Sequence, residues 1–279
     1  PAPAPAPAPG GGLYYLAPDN LNGSWHDIGG ASDISFTPDD NEVGLPLRVS
    51  VSYHDGRGNS ERIFSAATEK VENVNDQPLG EVLINGSHLE DSELTVSHNL
   101  SDSDGMGVLS YQWQRSSDET VWNDITDQTA QSYVPGDDDV GHYIRVKASY
   151  TDGHGEEETV ISKSTSSIGN VNDAPTGAVL LSADSGADIT EDQTISVSYN
   201  SLKDADGLGA TIAVQWQSHD ASGIWTNIAG ETSTDITLGD DEVGHNLRAV
   251  VSYVDGQATP EQVASSATTP VANVNDVPE

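Results

Sequence analysis

One six-residue phrase occurs three times in this chain, and its spacing limits the architectures that the chain can adopt. It reads Asn-Val-Asn-Asp-x-Pro and begins at Asn73, Asn170 and Asn273. Successive copies are roughly 100 residues apart, which is the size of one small domain. The proline that ends each phrase favours an extended backbone before it, as expected of a linker. The chain is therefore predicted to be a tandem array of small domains.

Motifs outside the linkers also recur, and they divide the chain into four segments. We predict a linker rich in proline, alanine and glycine at 1–12, a partial repeat at 13–76 and complete repeats at 77–175 and 176–279. The complete repeats share these pairs of motifs: Glu90-Asp91 and Glu191-Asp192; Asp102-Ser103-Asp104-Gly105 and Asp204-Ala205-Asp206-Gly207; Gln112-Trp113-Gln114 and Gln215-Trp216-Gln217; Tyr150-Thr151-Asp152-Gly153 and Tyr253-Val254-Asp255-Gly256.

Short alternating runs of apolar residues predict strands in both complete repeats. Turn residues interrupt these runs every ~8 to 12 residues, the spacing typical of an all-β sandwich, and no stretch sustains a helical apolar stripe. We predict an all-β fold of tandem immunoglobulin-like or cadherin-like antiparallel β-sandwich domains in a linear array. In the second unit, strands A, B, C, C′, E, F and G are placed at 80–86, 93–98, 109–115, 121–126, 131–135, 143–150 and 157–163.

The partial repeat lacks the first half of the shared pattern. It keeps Trp25 and Tyr53 but has no Glu-Asp or Asp-x-Asp-Gly motif, and Leu16 stands at the position of Trp113. We expect it to supply only strands C to G. The Pro-Ala segment before it cannot provide the missing strands, because proline removes donors from a strand ladder. This unit should be the least stable, unless another segment completes it.

The strand order of such a sandwich gathers acidic loops at both ends of each domain. The B–C and F–G loops lie at the end where the linker enters. The A–B turn and the E–F loop lie at the opposite end, beside the outgoing linker. The residues predicted to meet at the junctions and to ligate metal are Asn75, Asp76, Glu90, Asp91, Asp102, Asp104, Asp139, Asp152, Asn172, Asp173, Glu191, Asp192, Asp204, Asp206 and Asp255.

Carboxylates gathered in this way raise one another's pKa unless a cation lies between them. Ca²⁺ takes roughly 6 to 8 oxygen ligands from carboxylate, amide and backbone groups, which is the ligand set available here. Asp-x-Asp-Gly is part of a calcium-loop signature, so Ca²⁺ is the predicted cofactor. The alternative is that these motifs are ordinary Asp-Gly turns. The 8 histidines have no close pairing, so the sequence does not indicate a zinc site.

The charge of the chain argues against several classes of partner. There are 45 acidic and 10 basic residues, and the formal net charge is −35. Nucleic acid and anionic membranes would be repelled, so neither is an expected partner. No apolar run reaches the roughly 20 residues of a membrane helix, so membrane insertion is not expected. The absence of cysteine excludes disulfides and thiolate metal sites.

The motifs together resemble those of a known repeat family. Val-Asn-Asp-Ala-Pro-Thr-Gly, Glu-Asp, Leu-x-Asp-x-Asp-Gly-x-Gly, Gln-Trp-Gln and Ser-Tyr-x-Asp-Gly look like the extender repeats of giant RTX-type adhesins, which type I secretion exports to bacterial surfaces. The resemblance covers 77–279 in two copies and 13–76 in part. It implies an extracellular stalk with Ca²⁺ at its junctions that holds a ligand-binding tip away from the cell. The partners would be neighbouring repeats, while other domains contact a host or biofilm surface.

Two other functions are compatible with the sequence. An Ig-like module could bind a glycan or a protein through an exposed face, for which Trp25, Trp122 and Trp225 are the candidate aromatic residues. The units could also adhere to copies of themselves in calcium, as cadherins do. Catalysis is not expected, because the chain has no Gly-x-Ser-x-Gly, no His-Glu-x-x-His and no cysteine nucleophile.

Overall fold

The computed structural model describes residues 12–18, 23–184, 188–220 and 222–275. These residues form eighteen β-strands and three short 3-10 turns, so the predicted all-β class is confirmed. The predicted N-terminal linker lies outside the described residues except for Gly12, as does Asp276 of the last linker phrase. Within the described ranges, no helix is long and apolar enough to cross a membrane.

The first unit contains one antiparallel sheet. Its strands are β1 (Leu13–Pro18), β2 (Trp25–Asp27), β3 (Arg48–His54) and β4 (Ser60–Phe64), in the order β2-β1-β3-β4. They correspond to the predicted strands C, C′, F and G. The expectation of a strand E in this unit is wrong, since residues 28–39 contain no strand. The physical reason is that strand B, the partner of strand E in the complete units, has no counterpart here.

The second unit is a sandwich of two antiparallel sheets. Its strands are β5 (Val82–Asn85), β6 (Leu94–His98), β7 (Ser110–Ser116), β8 (Asn123–Asp124), β9 (Ser132–Tyr133), β10 (Tyr143–Thr151) and β11 (Glu157–Ile161). The sheet orders are β5-β6-β9 and β11-β10-β7-β8. Each strand overlaps the predicted one, and the two sheets are those of the immunoglobulin-like order.

The third unit repeats this sandwich. Its strands are β12 (Leu180–Ala183), β13 (Thr194–Ser198), β14 (Ala213–His219), β15 (Thr226–Asn227), β16 (Asp235–Thr237), β17 (Asn246–Val254) and β18 (Pro260–Ala264). The sheet orders are β12-β13-β16 and β15-β14-β17-β18. A 3-10 turn precedes strand F in every unit, at Asp40–Glu42, Asp137–Asp139 and Asp240–Glu242.

A buried tryptophan on strand C lies between the two sheets of each complete unit. Trp113 and Trp216 are both 0% exposed. Their indole N–H groups donate to backbone carbonyls of Ala130 and Ser233, each at 2.9 Å. The ring of Trp113 packs 5.5 Å from that of Tyr133 on the opposite sheet. The indole thus fills the core and satisfies its single polar atom.

Tyr15, rather than Leu16 as predicted, occupies the tryptophan position of the first unit. The backbone of Tyr15 makes the same two hydrogen bonds to the segment after strand C′ that Trp113 makes in the second unit. Its ring lies 5.0 Å from Phe36, in the way that Trp113 packs on Tyr133. Alternation along the strand then places Leu16 on the opposite face. A one-residue shift in chain length before strand C′ explains the mistaken alignment.

The inner face of the first unit is only partly covered, because its described residues form no A–B–E sheet. Val49 and Val51 of β3 are half-buried, whereas the equivalent Val146 and Ala148 are 0% exposed. Less apolar area is therefore removed from water in this unit. This is the physical basis of the expectation that it is the least stable.

An arginine stacks on a tryptophan on the outer face of each unit. The guanidinium groups of Arg48, Arg145 and Arg248 lie 4.2, 4.2 and 4.3 Å from the ring centroids of Trp25, Trp122 and Trp225. In the complete units, the guanidinium also donates to a strand-C glutamine at 2.7 Å. The arginines therefore cover these tryptophans, which are not presented as a bare aromatic strip.

Replacing Trp113 with alanine should cost the second unit roughly 3 to 5 kcal/mol of unfolding free energy, because a cavity is left between the sheets. Trp122→Ala removes an indole from the outer face of the same sheet and should cost much less. Native-state hydrogen exchange of the β10 amides, in the full chain, measures both changes. Equal losses would show that Trp113 does not carry the core.

Candidate metal centres at the unit junctions

Each linker is held to the following unit by a buried aspartate. The backbone N–H of Asp76 donates to Asp104 Oδ2 at 2.7 Å, and that of Asp173 donates to Asp206 Oδ2 at 2.8 Å. Asp104 and Asp206 are 5% and 8% exposed. The second aspartate of each Asp-x-Asp-Gly motif therefore anchors the linker, as the predicted approach of the B–C loop to the linker requires.

The B–C and F–G loops touch through their backbones at this end of each sandwich. The N–H of Gly153 donates to the backbone carbonyl of Asp104 at 3.0 Å. The N–H of Gly256 donates to the backbone carbonyl of Asp206 at 3.1 Å. A Cβ at Gly153 would lie only 2.5 Å from that carbonyl oxygen. Glycine in the Asp-Gly hairpin is thus required for the close approach of the two loops.

The first aspartate of each Asp-x-Asp-Gly motif braces the loop. Asp102 accepts the N–H of Asp104 at 2.9 Å and the hydroxyl of Tyr150. Asp204 accepts the hydroxyl of Tyr253 at 2.5 Å. Burial, followed by the hydrogen bond to the aspartate, raises the pKa of both tyrosines. These tyrosines therefore fix the loop.

The F–G aspartates each present one oxygen that accepts no hydrogen bond. Asp152 Oδ1 accepts the N–H groups of His154, Gly155 and Glu156 at 2.8, 2.6 and 2.9 Å. Burial raises the pKa of Asp152, but these backbone donors outweigh burial and leave it lowered. The buried Oδ2 atoms of Asp152 and Asp255 have no hydrogen-bond partner. A cation is the natural partner for such an oxygen.

At the first junction, three carboxylates from three separate segments converge. Ligand atoms of Asp40, Asp76 and Asp104 all lie within 4.8 Å of one another. Asp40 begins the 3-10 turn of the first unit, Asp76 belongs to the linker, and Asp104 lies in the B–C loop of the second unit. Desolvation, followed by the charges of Asp76 and Asp104, raises the pKa of Asp40. Such a group can hold a divalent cation.

At the second junction, acidic groups of both adjoining units act on the linker aspartate through their charges. Desolvation, followed by the charges of Asp137, Asp91 and Asp206, raises the pKa of Asp173. Glu90 is 0% exposed; its Oε1 accepts the N–H of Val171, and its Oε2 has no hydrogen-bond partner. Burial also raises the pKa of Glu90, although the Val171 hydrogen bond opposes the shift. Glu90 is thus aimed at the outgoing linker, as predicted.

In the 3-10 turn, the residue predicted from the sequence as a ligand differs from the one whose charge acts on the linker. Asp139, predicted as a ligand, folds back on its own unit, where it accepts the hydroxyl of Tyr133 and the N–H of Gly136 at 3.2 Å. Asp137 and its equivalent Asp40 are the members whose charges act on the linker. In the sequence, the signal for Asp40 and Asp137 is the acidic turn that recurs before each Val-Gly. The pattern alone does not show which acidic residue of that turn acts on the linker.

The remaining predicted ligands occupy supporting positions. The side chain of Asn75 donates to Glu158 at 2.6 Å, and that of Asn172 donates to Glu261 at 2.9 Å, so these amides tie each linker to strand G. Asp91 and its equivalent Asp192 adopt left-handed backbone with φ of 57° and 66°, which aspartate tolerates better than most residues. Glu191 accepts the N–H of Val274, as Glu90 accepts that of Val171. The roles of these residues as ligands stay predictions.

The residues present at the junctions fit a hard cation. Most of the candidate ligands are carboxylates, and buried oxygens of Glu90, Asp104, Asp152 and Asp255 lack hydrogen-bond partners. Ca²⁺ accepts an irregular set of oxygen ligands of this kind. The opposing Asp-Gly turn interpretation explains the backbone hydrogen bonds of the loops, but it does not explain these buried oxygens.

Comparison with known proteins gives one family model and several solved structures. Residues 90–168 match a family described as a domain of unknown function, DUF8696. No curated protein matches the chain. The structural neighbours include parts of large bacterial adhesins, and their low similarity carries no argument about function.

Three of these neighbours are each 14% identical to the chain. The tetra-tandem repeat from the extending region of a large adhesion protein covers 94% of this chain and 68% of its own, with a TM-score of 0.28. A 1.5-MDa bacterial ice-binding adhesin covers 95% and 87%, with a TM-score of 0.28. A Ca²⁺-stabilized adhesin of an Antarctic bacterium that binds ice covers 94% and 66%, with a TM-score of 0.30.

Replacing Asp173 with asparagine tests the repulsion at the second junction. Because folding raises the pKa of Asp173, its ionised form destabilises the metal-free fold, and stability is lost as pH rises from about 4 through the raised pKa. In chelator, Asp173→Asn should therefore raise the melting temperature relative to the natural chain, increasingly so towards neutral pH. In calcium the sign should reverse, because the variant loses a charged ligand.

The difference between the two proteins is the quantity to measure, since other carboxylates titrate equally in both. Differential scanning calorimetry at matched pH, with chelator and with calcium, provides it. An equal effect of the substitution under both conditions would contradict a cation-compensated cluster.

Proposed function

We propose that this chain is part of a calcium-stiffened extender region of a large bacterial cell-surface adhesin. It would act without catalysis, as a stalk that holds a ligand-binding tip away from the cell. The motifs shared with extender repeats support the adhesin assignment. The mechanical role is supported by the geometry of the junctions, where the linker is clamped between units.

The observation that carries this proposal is the origin of the carboxylates at the first junction. Asp40, Asp76 and Asp104 come from the preceding unit, the linker and the following unit, within 4.8 Å. A cation bound by all three would cross-link the two units through short ionic contacts. Without it, the same charges would repel one another and favour separation of the units. Cation binding and rigidity of the junction are therefore linked.

The dimensions of the units suit a stalk. Strands β10 and β17 each contain 9 residues, so at ~3.4 Å per residue each strand is ~30 Å long. Linkers enter and leave at opposite ends of such a sandwich, so each added unit extends the array. Rigid junctions would make this array a rod, whereas free junctions would let it bend back on itself.

Calcium binding would also make the stiffness of the stalk depend on its location. Extracellular calcium modules have dissociation constants of roughly 10⁻⁴ to 10⁻³ M. Sites in this range are empty in the cytosol and filled outside the cell. The array would thus be pliable before export and stiff at the bacterial surface.

Small-angle X-ray scattering of the full chain tests this function. We expect the maximum dimension to fall when calcium is chelated, while far-ultraviolet circular dichroism stays nearly constant because each sandwich has its own core. Asp173→Ala should shorten the chain in calcium, since it removes the linker ligand of the second junction. Asp33→Ala, an exposed aspartate of the first unit away from both junctions, is the matched control.

If the scattering profiles in calcium and in chelator superimpose, the acidic loops are only turns, and the stiffening mechanism fails.

A further inference from the structure

The first junction differs from the second in its ligand set. Among the described residues of the first unit, none corresponds to Glu90 and Asp91 of the second junction. The first junction therefore offers fewer carboxylate oxygens to a cation. It offers instead an imidazole, because the F–G loop carries His154 where the third unit carries Gln257.

His154 lies against the carboxylate cluster. Its Nε2 is 3.9 Å from Asp104 Oδ1, and its side chain is 35% exposed, so the ring can adjust towards a bound ion. The side chain of Asp104 is 0% exposed, and its Oδ1 accepts no hydrogen bond. Asp104 also contributes a ligand atom to the group formed with Asp40 and Asp76. An imidazole nitrogen thus lies beside a buried carboxylate of that group.

We propose that the first junction, besides accepting Ca²⁺ as proposed above, is a site for a borderline divalent metal such as Zn²⁺, bound by His154 together with Asp40, Asp76 and Asp104. An imidazole nitrogen favours Zn²⁺ and Co²⁺ over Ca²⁺, and four protein ligands suit the tetrahedral preference of Zn²⁺. The second junction, which has glutamine at the equivalent position and more carboxylates, keeps the preference for Ca²⁺. This inference rests on the proposed function, since it assigns a metal to one of the junctions.

There is a physical reason why this metal site is not predicted from the sequence. Zinc sites are recognised in sequences by histidines or cysteines at short spacing, and this chain has no such pair. Here the four ligands come from a 3-10 turn, a linker and two loops, which only the folded array brings together.

Calorimetric titration of Zn²⁺ into the chelator-treated full chain tests the proposal. Co²⁺ serves as a second probe, because its visible absorption bands report nitrogen ligation and tetrahedral geometry. His154→Gln, which copies the third unit, should weaken Zn²⁺ binding by about tenfold or more and change the Co²⁺ spectrum. Ca²⁺ affinity should change little, because Ca²⁺ gains little from the imidazole. His54→Gln, at the other end of the first unit, is the control and should behave like the natural chain.

The outcomes separate this proposal from the stalk function. Equal Zn²⁺ affinity in the natural chain and in His154→Gln, or no Zn²⁺ binding at all, would overturn it. The calcium-dependent maximum dimension is measured on the same two proteins. Its absence in both would contradict the stalk function, whereas the Zn²⁺ result would still decide the role of His154.

Discussion

The rest of the structure depends on the buried aspartate that closes each B–C loop. Asp104 and Asp206 accept the N–H of the linker aspartate at 2.7 and 2.8 Å. A buried carboxylate needs donors or a cation, and the linker amide is one such donor. The same side chain thus fixes the course of the linker and contributes to the acidic cluster. Repeating one loop motif is therefore enough to repeat both the junction and its charge.

Electrostatic repulsion at the junctions is the physical basis of the proposed function. Burial and neighbouring charges raise the pKa of Asp40 and Asp173, so a metal-free junction is destabilised once these groups ionise. A divalent cation reverses the sign of the same interaction and draws the linker towards both adjoining units. Such a junction needs no large apolar interface. Under the proposed function it would be stiff in calcium and loose without it, although each sandwich keeps its own core around Trp113 or Trp216.

Sequence pattern predicted the fold well, because alternation and turn residues report the period of a strand directly. It also identified Asp104, Asp206 and Glu90, since the topology alone brings their loops to the linkers. It failed where one residue of register decides the outcome. Tyr15 takes the position equivalent to Trp113 because of a one-residue difference in chain length before strand C′. Only the closure of the 3-10 turn decides that Asp137 acts on the linker. Non-local groupings such as His154 with Asp40 leave no pattern along the chain.

Anomalous diffraction from crystals of the full chain grown in calcium is the decisive test of cation-linked junctions. We expect a calcium peak at the second junction, ligated by Asp137, Asp173 and Asp206, with Glu90 contributing from the preceding unit. The carboxylates of two successive units would then share one or more ions. Ordered junctions whose carboxylates bind only water and backbone N–H groups, with no anomalous peak, would contradict it.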